Sequence, residues 1–428
     1  MGMLDGYNIL RYGHVFDGGG GMEQYLSDLN LALGTRSAVN VFQVQLTSVA
    51  GNVGETEHRL GMGRLLRVSL FVEQSAHELA IAGCKRTIGS TVRGCFGPLH
   101  RMLFAPPVYS IFTRRALKYR RARRFPGEPD HPSETVARLN DRFPLDLICL
   151  HSAGGADVEG ILDFAQARRI PTVYVHHFAN DRLSTPSVGR QLDRIQGIAG
   201  VAGSQVPARL RGKFFNVSDG IDVEFFSRSR AQTNQPSFPR VIFLPARITP
   251  KKGQAELIRA AGILRRRGLQ CRVVLAGRTD NPGFMRELRE LTKLEGLTDL
   301  VEFTGHLDVC ELREWYARAA IVGFPTRHPE GLGRILLECQ AMEVPPIVYN
   351  IGGTSEGVQD GETGFLVRLG DFGGFVERIS ELLANETRRR QMARAARRFV
   401  LRDFSLEALA ARHEQFYAPF LRKFAERS

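Results

Sequence analysis

Apolar positions recur along this chain in two periods, two residues and about 3.6, and the switches between them lay out most of its elements. Tyr7 to Phe16 reads as a strand, a glycine run follows at Gly18 to Gly21, and an amphipathic helix continues through Leu33. Val39 to Leu46 alternates as a second strand, which completes a β-α-β opening. The pattern then blurs, and residues 52–140 offer helical stretches such as Leu65 to Ala82 and little else. It returns with two buried strands, Asp146 to His151 and Ile170 to His177, around a helix near 157–168. Polar residues and prolines crowd 228–240, where a linker is expected. Beyond it, short apolar strands starting at Val241, Arg272, Val301 and Ala320 end in basic, glycine or proline turns; a helix from Gln254 to Arg267 follows the first. Leu332, Ile335, Leu336 and Cys339 mark a short helix, and Leu406 to about Lys423 a long final one. Strands alternating with helices predict an α/β fold in two domains, residues 1–232 and 237–405, with a C-terminal helix at 406–428.

Composition narrows the setting. Of 428 residues, 43% are hydrophobic and 24% charged, which suits a globular chain of two or three domains. No run reaches the roughly 18 apolar residues of a spanning helix, and the first residues lack the basic-then-apolar layout of a signal peptide. The expectation is a cytoplasmic location, with peripheral contact to the inner face of the cell membrane. The six cysteines, at 84, 95, 149, 271, 310 and 339, show no metal-ligand spacing and read as buried or free thiols.

The net charge of +13 calls for an anionic partner. Its densest source is Arg114, Arg115, Lys118, Arg120, Arg121, Arg123 and Arg124, directly after the apolar and aromatic stretch at 101–112. Rings to bury beside guanidinium groups to pair with phosphate suit an anionic membrane surface. A buried helix before a solvated basic loop would explain the same residues. No zinc-finger or RNP-type motif accompanies them, which places a membrane surface above nucleic acid as the partner.

The candidate chemistry gathers where strands end. Gly20 and Gly21, followed by Glu23, open the first helix, and glycines there let backbone N–H groups approach a phosphate. His151 and His177 each stand at the carboxyl end of a strand, where an imidazole can donate to a hydroxyl or to developing negative charge. Arg247 and Lys252 lie in a basic loop between a strand and a helix, with Gly253 next, an arrangement that grips a pyrophosphate. Glu330 and Glu338, seven residues between them, flank Gly331, Leu332 and Gly333, so a loop carboxylate and a helix carboxylate reach one end of a β-α-β unit. Thr354 and Ser355 follow in a glycine turn and could donate to phosphates.

The two glutamates with Gly331-Leu332-Gly333 resemble the double-glutamate signature of the retaining glycosyltransferases of family four. The order and spacing of the other motifs, over residues 7–46 and about 146–424, resemble that family too. The resemblance implies the GT-B architecture, two Rossmann-like domains facing across a cleft. It implies that Glu338 holds the ribose of a sugar nucleotide, that Glu330 with Gly331, Leu332 and Gly333 contacts the donor sugar, and that Arg247 and Lys252 neutralise its diphosphate. His177 matches the family histidine near the donor sugar, His151 a histidine of the preceding strand, and Gly20, Gly21 and Glu23 the loop bordering donor and acceptor. Two departures stand out: Asp219 occupies a position usually asparagine, and Glu343 one usually glycine after the glutamate helix.

The implied activity is a metal-independent, retaining hexosyltransferase in envelope polysaccharide, lipopolysaccharide or exopolysaccharide synthesis. Its partners would be a nucleotide-sugar donor and a saccharide or lipid-linked acceptor, with no cofactor. A non-catalytic sugar-nucleotide-binding subunit, or a nucleotide-sugar epimerase or phosphorylase of the same fold, are the alternatives; the phosphorylase would need a pyridoxal-phosphate lysine that no motif identifies.

Overall fold

The computed structural model describes residues 3–14, 21–47, 54–60, 63–71, 132–151, 156–177, 186–200, 206–231, 239–279 and 281–425. The first sheet holds eight strands: β1 (Asn8–His14), β2 (Asn40–Thr47), β3 (Gly54–Leu60), β4 (Gly63–Phe71), β5 (Leu147–Leu150), β6 (Thr172–His176), β7 (Gly197–Gly200) and β8 (Phe214–Asn216). Their order is β3-β4-β2-β1-β5-β6-β7-β8, and every neighbour is parallel except the β3–β4 pair. Helices α1 (Gly21–Arg36), α2 (Pro132–Arg142), α3 (Ala156–Ala167) and α4 (Pro186–Asp193) accompany it.

The second sheet holds β9 (Arg240–Pro245), β10 (Cys271–Ala276), β11 (Val301–Gly305), β12 (Ala319–Phe324), β13 (Pro346–Asn350) and β14 (Phe365–Arg368), all parallel, in the order β11-β10-β9-β12-β13-β14. Counted from its own first strand this is 3-2-1-4-5-6, the doubly wound order, and it reverses direction between β9 and β12. Connections leaving those two strands go to opposite faces and open a crevice at their carboxyl ends. The first sheet reverses in the same way between β1 and β5. Helices α5 (Gln254–Arg266), α6 (Pro282–Leu294), α7 (Val309–Arg318), α8 (Arg334–Ala341), α9 (Phe372–Ala384) and α10 (Glu386–Asp403) surround the second sheet, and α11 (Leu406–Ala425) ends the chain.

Coverage on both faces explains why these strands read as unbroken apolar runs. Ile242, Phe243, Val274, Val322 and Val348 are fully buried in the second core. The first sheet has a core on each face, and on one of them Leu409, Phe416, Tyr417 and Leu421 of α11 join Cys149, Val175 and Ala199. The final helix thus crosses back to the first domain, with Glu414 pinned by Arg36 at 3.1 Å and by the Ser37 hydroxyl at 2.9 Å. Ile221, Phe226 and Ala231 already belong to the second core, so the crossing between domains lies near Gly220, ahead of the polar stretch expected as a linker. Of that stretch, residues 232–238 lie outside the described residues, as do 72–131, which include the apolar and basic run at 101–124.

Leu65 to Phe71, whose apolar spacing predicts the start of a helix running to Ala82, is instead part of β4. Eight consecutive residues of β2 pair with it in parallel, Asn40 with Arg64 through Thr47 with Phe71, and Leu60 pairs with Gly63 across the short Gly61-Met62 connection to β3. A full ladder on each side outweighs weak helical spacing, because it satisfies every backbone group of the segment.

Candidate active site

The crevice of the second sheet is built from two loops. After β9 the chain passes Arg247 and turns through Pro250 to Lys252 into Gly253. Gly253 has φ +83°, and a Cβ there would lie 2.3 Å from the Pro325 carbonyl oxygen at the end of β12. Only glycine lets the two loops approach so closely. After β12 the chain runs to Glu330, whose carbonyl accepts from Gly353 N at 3.0 Å, so this loop is tied to the glycine turn after β13. Gly333, at φ +91°, then turns the chain into α8.

Lys252 Nζ donates to Glu330 Oε1 at 2.5 Å, and Thr326 Oγ1 donates to the same oxygen at 3.3 Å. The ammonium also lies 5.6 Å over the Phe324 ring. Arg247 stands exposed beside this pair in sequence, its carbonyl accepting from Gln254 Nε2 at 2.9 Å and its guanidinium unbonded among the described residues. Leu332 is buried in the second core and anchors the loop, while Gly331 and Gly333 stay partly exposed.

Glu338 sits one helical turn into α8 with its side chain 12% exposed. Tyr316 of α7 donates its hydroxyl to Oε2 at 3.0 Å, and Arg334, one turn earlier, lies 3.8 Å from Oε1. Burial pushes the Glu338 carboxyl above its ordinary range, against the pull of Arg334 and the Tyr316 hydrogen bond. Arg334 is the residue that motif reasoning passed over. It donates to Asp28 of α1 at 2.8 Å, to Asp219 at 3.2 Å and to the Gly220 carbonyl at 3.1 Å, so one guanidinium joins the glutamate helix to the first domain. Burial disfavours its charge, but Asp219, Glu338 and Asp28 more than offset that and raise its pKa. Its four-residue offset from Glu338 was legible in the sequence; its partners, over 100 residues away, were not. A second tie between domains runs from Asn216 Nδ2 to Glu356 Oε2 at 2.9 Å.

The first domain brings together its own two strand-end histidines. His151 Nδ1 and His177 Nε2 are 2.7 Å apart with ring planes 27° apart, and Tyr25 of α1 packs edge-on to His177 at 4.7 Å. Burial holds His177 down to about 3 and His151 well below its ordinary value, so both are neutral imidazoles at physiological pH. His176 belongs to the opposite face, with Tyr174. Gly21 and Glu23 fall in the first turn of α1, the Glu23 side chain lies outside the described residues, and Gly20 lies outside them altogether. Thr354 does not face a ligand: it is fully buried and its hydroxyl serves the carbonyls of Tyr349 and Ile351 at 3.0 Å. A single hydroxyl proton held there leaves none for a phosphate.

The model for glycosyl transferases group 1 matches residues 225–399 of this chain. The capsular polysaccharide biosynthesis glycosyltransferase CapM of Staphylococcus aureus is 28% identical over 222 residues, 49% of this chain and 55% of that protein. The GDP-mannose-dependent alpha-(1-6)-phosphatidylinositol monomannoside mannosyltransferase of Mycobacterium tuberculosis is 33% identical over 184 residues, 42% of this chain and 47% of that protein. The matched segments thus span about half the length of these curated relatives. Among solved structures, a glycosyltransferase from Rickettsia africae superposes with TM-score 0.68 at 16% identity, covering 97% of this chain and 99% of that one. Sucrose-phosphate synthase from Thermosynechococcus elongatus gives 0.67 at 18% identity, covering 99% and 100%. HepE from Anabaena, in complex with UDP, gives 0.65 at 15% identity, covering 96% and 100%. At such identities the superpositions speak for the fold, and the fold they share is GT-B. The double-glutamate crevice lies inside residues 225–399, the segment of this chain that matches the group 1 glycosyl transferases.

Proposed function

We propose that this chain transfers a hexose from a nucleoside-diphosphate sugar to an acceptor hydroxyl, with retention at the anomeric carbon. The observation that carries the proposal is the Lys252–Glu330 pair at the switch point, with buried Glu338 on the following helix. A switch-point crevice is where doubly wound sheets bind nucleotides. A carboxylate nearly sealed from water there gains most from a ribose diol, which offers it two hydrogen bonds at once.

In this mechanism Lys252 and Arg247 stabilise the charge that develops on the departing diphosphate. Such a donor typically contributes roughly 100- to 1000-fold in rate. Glu330 and the backbone from Gly331 to Gly333 hold the donor sugar, and neutral His177 donates to a sugar hydroxyl or leaving oxygen. Gly20 and Gly21 would border the donor from the first domain, and Glu23 and His151 would stand on the acceptor side. Departure and attack on the same face need no protein nucleophile, and the two cations take the role that a bound metal would otherwise fill.

The relatives' names support a saccharide or lipid-linked acceptor: one is a capsular polysaccharide biosynthesis enzyme and another a phosphatidylinositol monomannoside mannosyltransferase. The UDP held by HepE supports a nucleoside-diphosphate donor. The basic and apolar sequence at 101–124 supports a meeting with the acceptor at the inner face of the membrane. Among the described residues no helix is long and apolar enough to cross a membrane.

Release of nucleoside diphosphate from UDP-, GDP-, ADP- and dTDP-sugars, with EDTA present, tests the activity. Turnover of one of them in EDTA is expected; an absolute need for a divalent cation, or no turnover of any, would contradict it.

A further inference from the structure

Behind His177 lies a line of buried polar side chains that the proposed chemistry does not use. Tyr417 of α11 donates its hydroxyl to Cys149 Sγ at 3.6 Å. A hydroxyl has one proton, so toward His413 Nδ1, 3.0 Å away, the Tyr417 oxygen can only accept. That places the His413 proton on Nδ1 and leaves Nε2, 2.5 Å from the Tyr25 hydroxyl, as an acceptor. In the other direction, the Cys149 thiol, already accepting from Tyr417, has its one proton to offer His151 Nε2 at 3.4 Å. With the thiol as that donor, His151 carries its own proton on Nδ1 and donates it to His177 Nε2 at 2.7 Å. A neutral His177 accepting at Nε2 keeps its proton on Nδ1.

We propose that this one-way line of donors, running from Tyr25 through α11 to His151, fixes His177 as the Nδ1–H tautomer and makes His413 and Tyr417 positioning residues. The same count gives all three histidines the Nδ1–H form, which is the less common tautomer of free neutral imidazole. The neutral state on which the count depends comes first from burial. Burial, with the neighbouring His177 and Arg11, depresses both His151 and His413, and burial pushes the Cys149 thiol up to about 11, so it remains a donor.

The consequence for chemistry rests on the proposal that His177 borders the donor sugar. There an Nδ1–H group is a donor to a hydroxyl or an oxyanion, whereas the other tautomer would present a lone pair. The C-terminal helix would then do more than clasp the two domains: it would set which nitrogen of a site histidine carries the proton.

The test is long-range proton–nitrogen correlation NMR on the full chain labelled with 15N-histidine, with no nucleotide added. Signals are assigned by His151→Gln, His177→Gln and His413→Gln. All three residues are expected as Nδ1–H tautomers in the wild type. In Cys149→Ala the line is cut, and His151 and His177 are expected to shift toward a mixture of tautomers. In Tyr417→Phe, His413 loses its acceptor and is expected to shift toward Nε2–H. Wild-type His177 protonated on Nε2, or His151 unchanged in Cys149→Ala, would overturn the proposal. The wild-type spectrum decides even where a variant fails to fold. Because no sugar nucleotide is present, the result stands apart from any failure of the transferase assay.

Discussion

Lys252 Nζ and Glu330 Oε1 meet at 2.5 Å across the switch point of the second sheet, one brought by the loop after β9 and the other by the loop after β12. Both side chains are less than one-fifth exposed, at 18% and 17%. The pair holds the basic loop and the acidic loop in one place before any donor arrives, so an incoming diphosphate finds its cation already positioned.

Replacement of Lys252 by alanine should therefore lower kcat/KM for the donor by roughly 100- to 1000-fold. Adding Glu330→Gln to that variant should cost less than the same change in the wild type, because the two residues act as a unit. Steady-state kinetics on the two single variants and the double variant check this. Fully multiplicative losses would mean that the pair does not work together.

Among the described residues, Arg334 is the single guanidinium paired with Asp28, Asp219 and Glu338. Its side chain is 15% exposed and theirs 9%, 10% and 12%. Arg334→Met should destabilise by about 3–5 kcal/mol, since it leaves buried carboxylates uncompensated. Arg334→Lys should recover only part of this, because one ammonium cannot replace a fork that reaches Asp28, Asp219 and the Gly220 carbonyl together. Urea unfolding measures both variants, and a methionine variant within about 0.5 kcal/mol of wild type would contradict the account.

The buried imidazoles give a direction for pH. His177 is lowered to about 3, and His151 and His413 lie well below 6.5, so each binds fewer protons folded than unfolded. Their contribution to stability is complete above the unfolded value and is lost as pH falls from about 6.5 toward 3. Asp28, Asp219 and Glu338 act in the opposite sense: burial raises them, the folded state holds extra protons, and stability falls as pH rises through their window above 3.8 to 4.5. The comparison must be differential. His177→Gln should lose less stability per pH unit than wild type over the acid range, by up to about 1.4 kcal/mol per unit. Parallel profiles in chemical denaturation would show that His177 is not held neutral by the fold.

Much of the fold was legible because parallel strands covered on both faces declare themselves as short apolar runs ending in turns. Val241, Arg272, Val301 and Ala320 each mark a strand that the structure contains. The strand at Gly63 to Phe71 was not legible, since its pairing partners in β2 and β3, and not its own periodicity, decide its state. In the site, the spacing of Glu330 and Glu338 and the Lys252-Gly253 turn lie within single motifs and could be read directly. The contacts from Arg334 to Asp28, and from His413 to Tyr25, join residues 306 and 388 positions apart, and no local pattern announces them.

Glu343 teaches the same lesson. It keeps the left-handed conformation, at φ +56°, that a glycine would adopt at no steric cost. Such a residue costs about 1 kcal/mol or more. The compensation is tertiary, for its carboxylate acts on Arg228 and Arg397, which donate to the Met342 and Ala341 carbonyls at the end of α8.

Nucleotide-sugar binding at the Lys252–Glu338 crevice is tested most directly by a thermal-shift panel of UDP-, GDP-, ADP- and dTDP-sugars with EDTA present, run on wild type, Lys252→Ala and Glu338→Ala. A ligand at about 100 times its Kd stabilises the folded state by roughly 2.7 kcal/mol, enough to raise Tm by several degrees. A rise with one nucleotide base is expected in the wild type, lost in both variants. No rise with any nucleotide sugar in a cooperatively melting protein, or a rise that both variants keep, would contradict it.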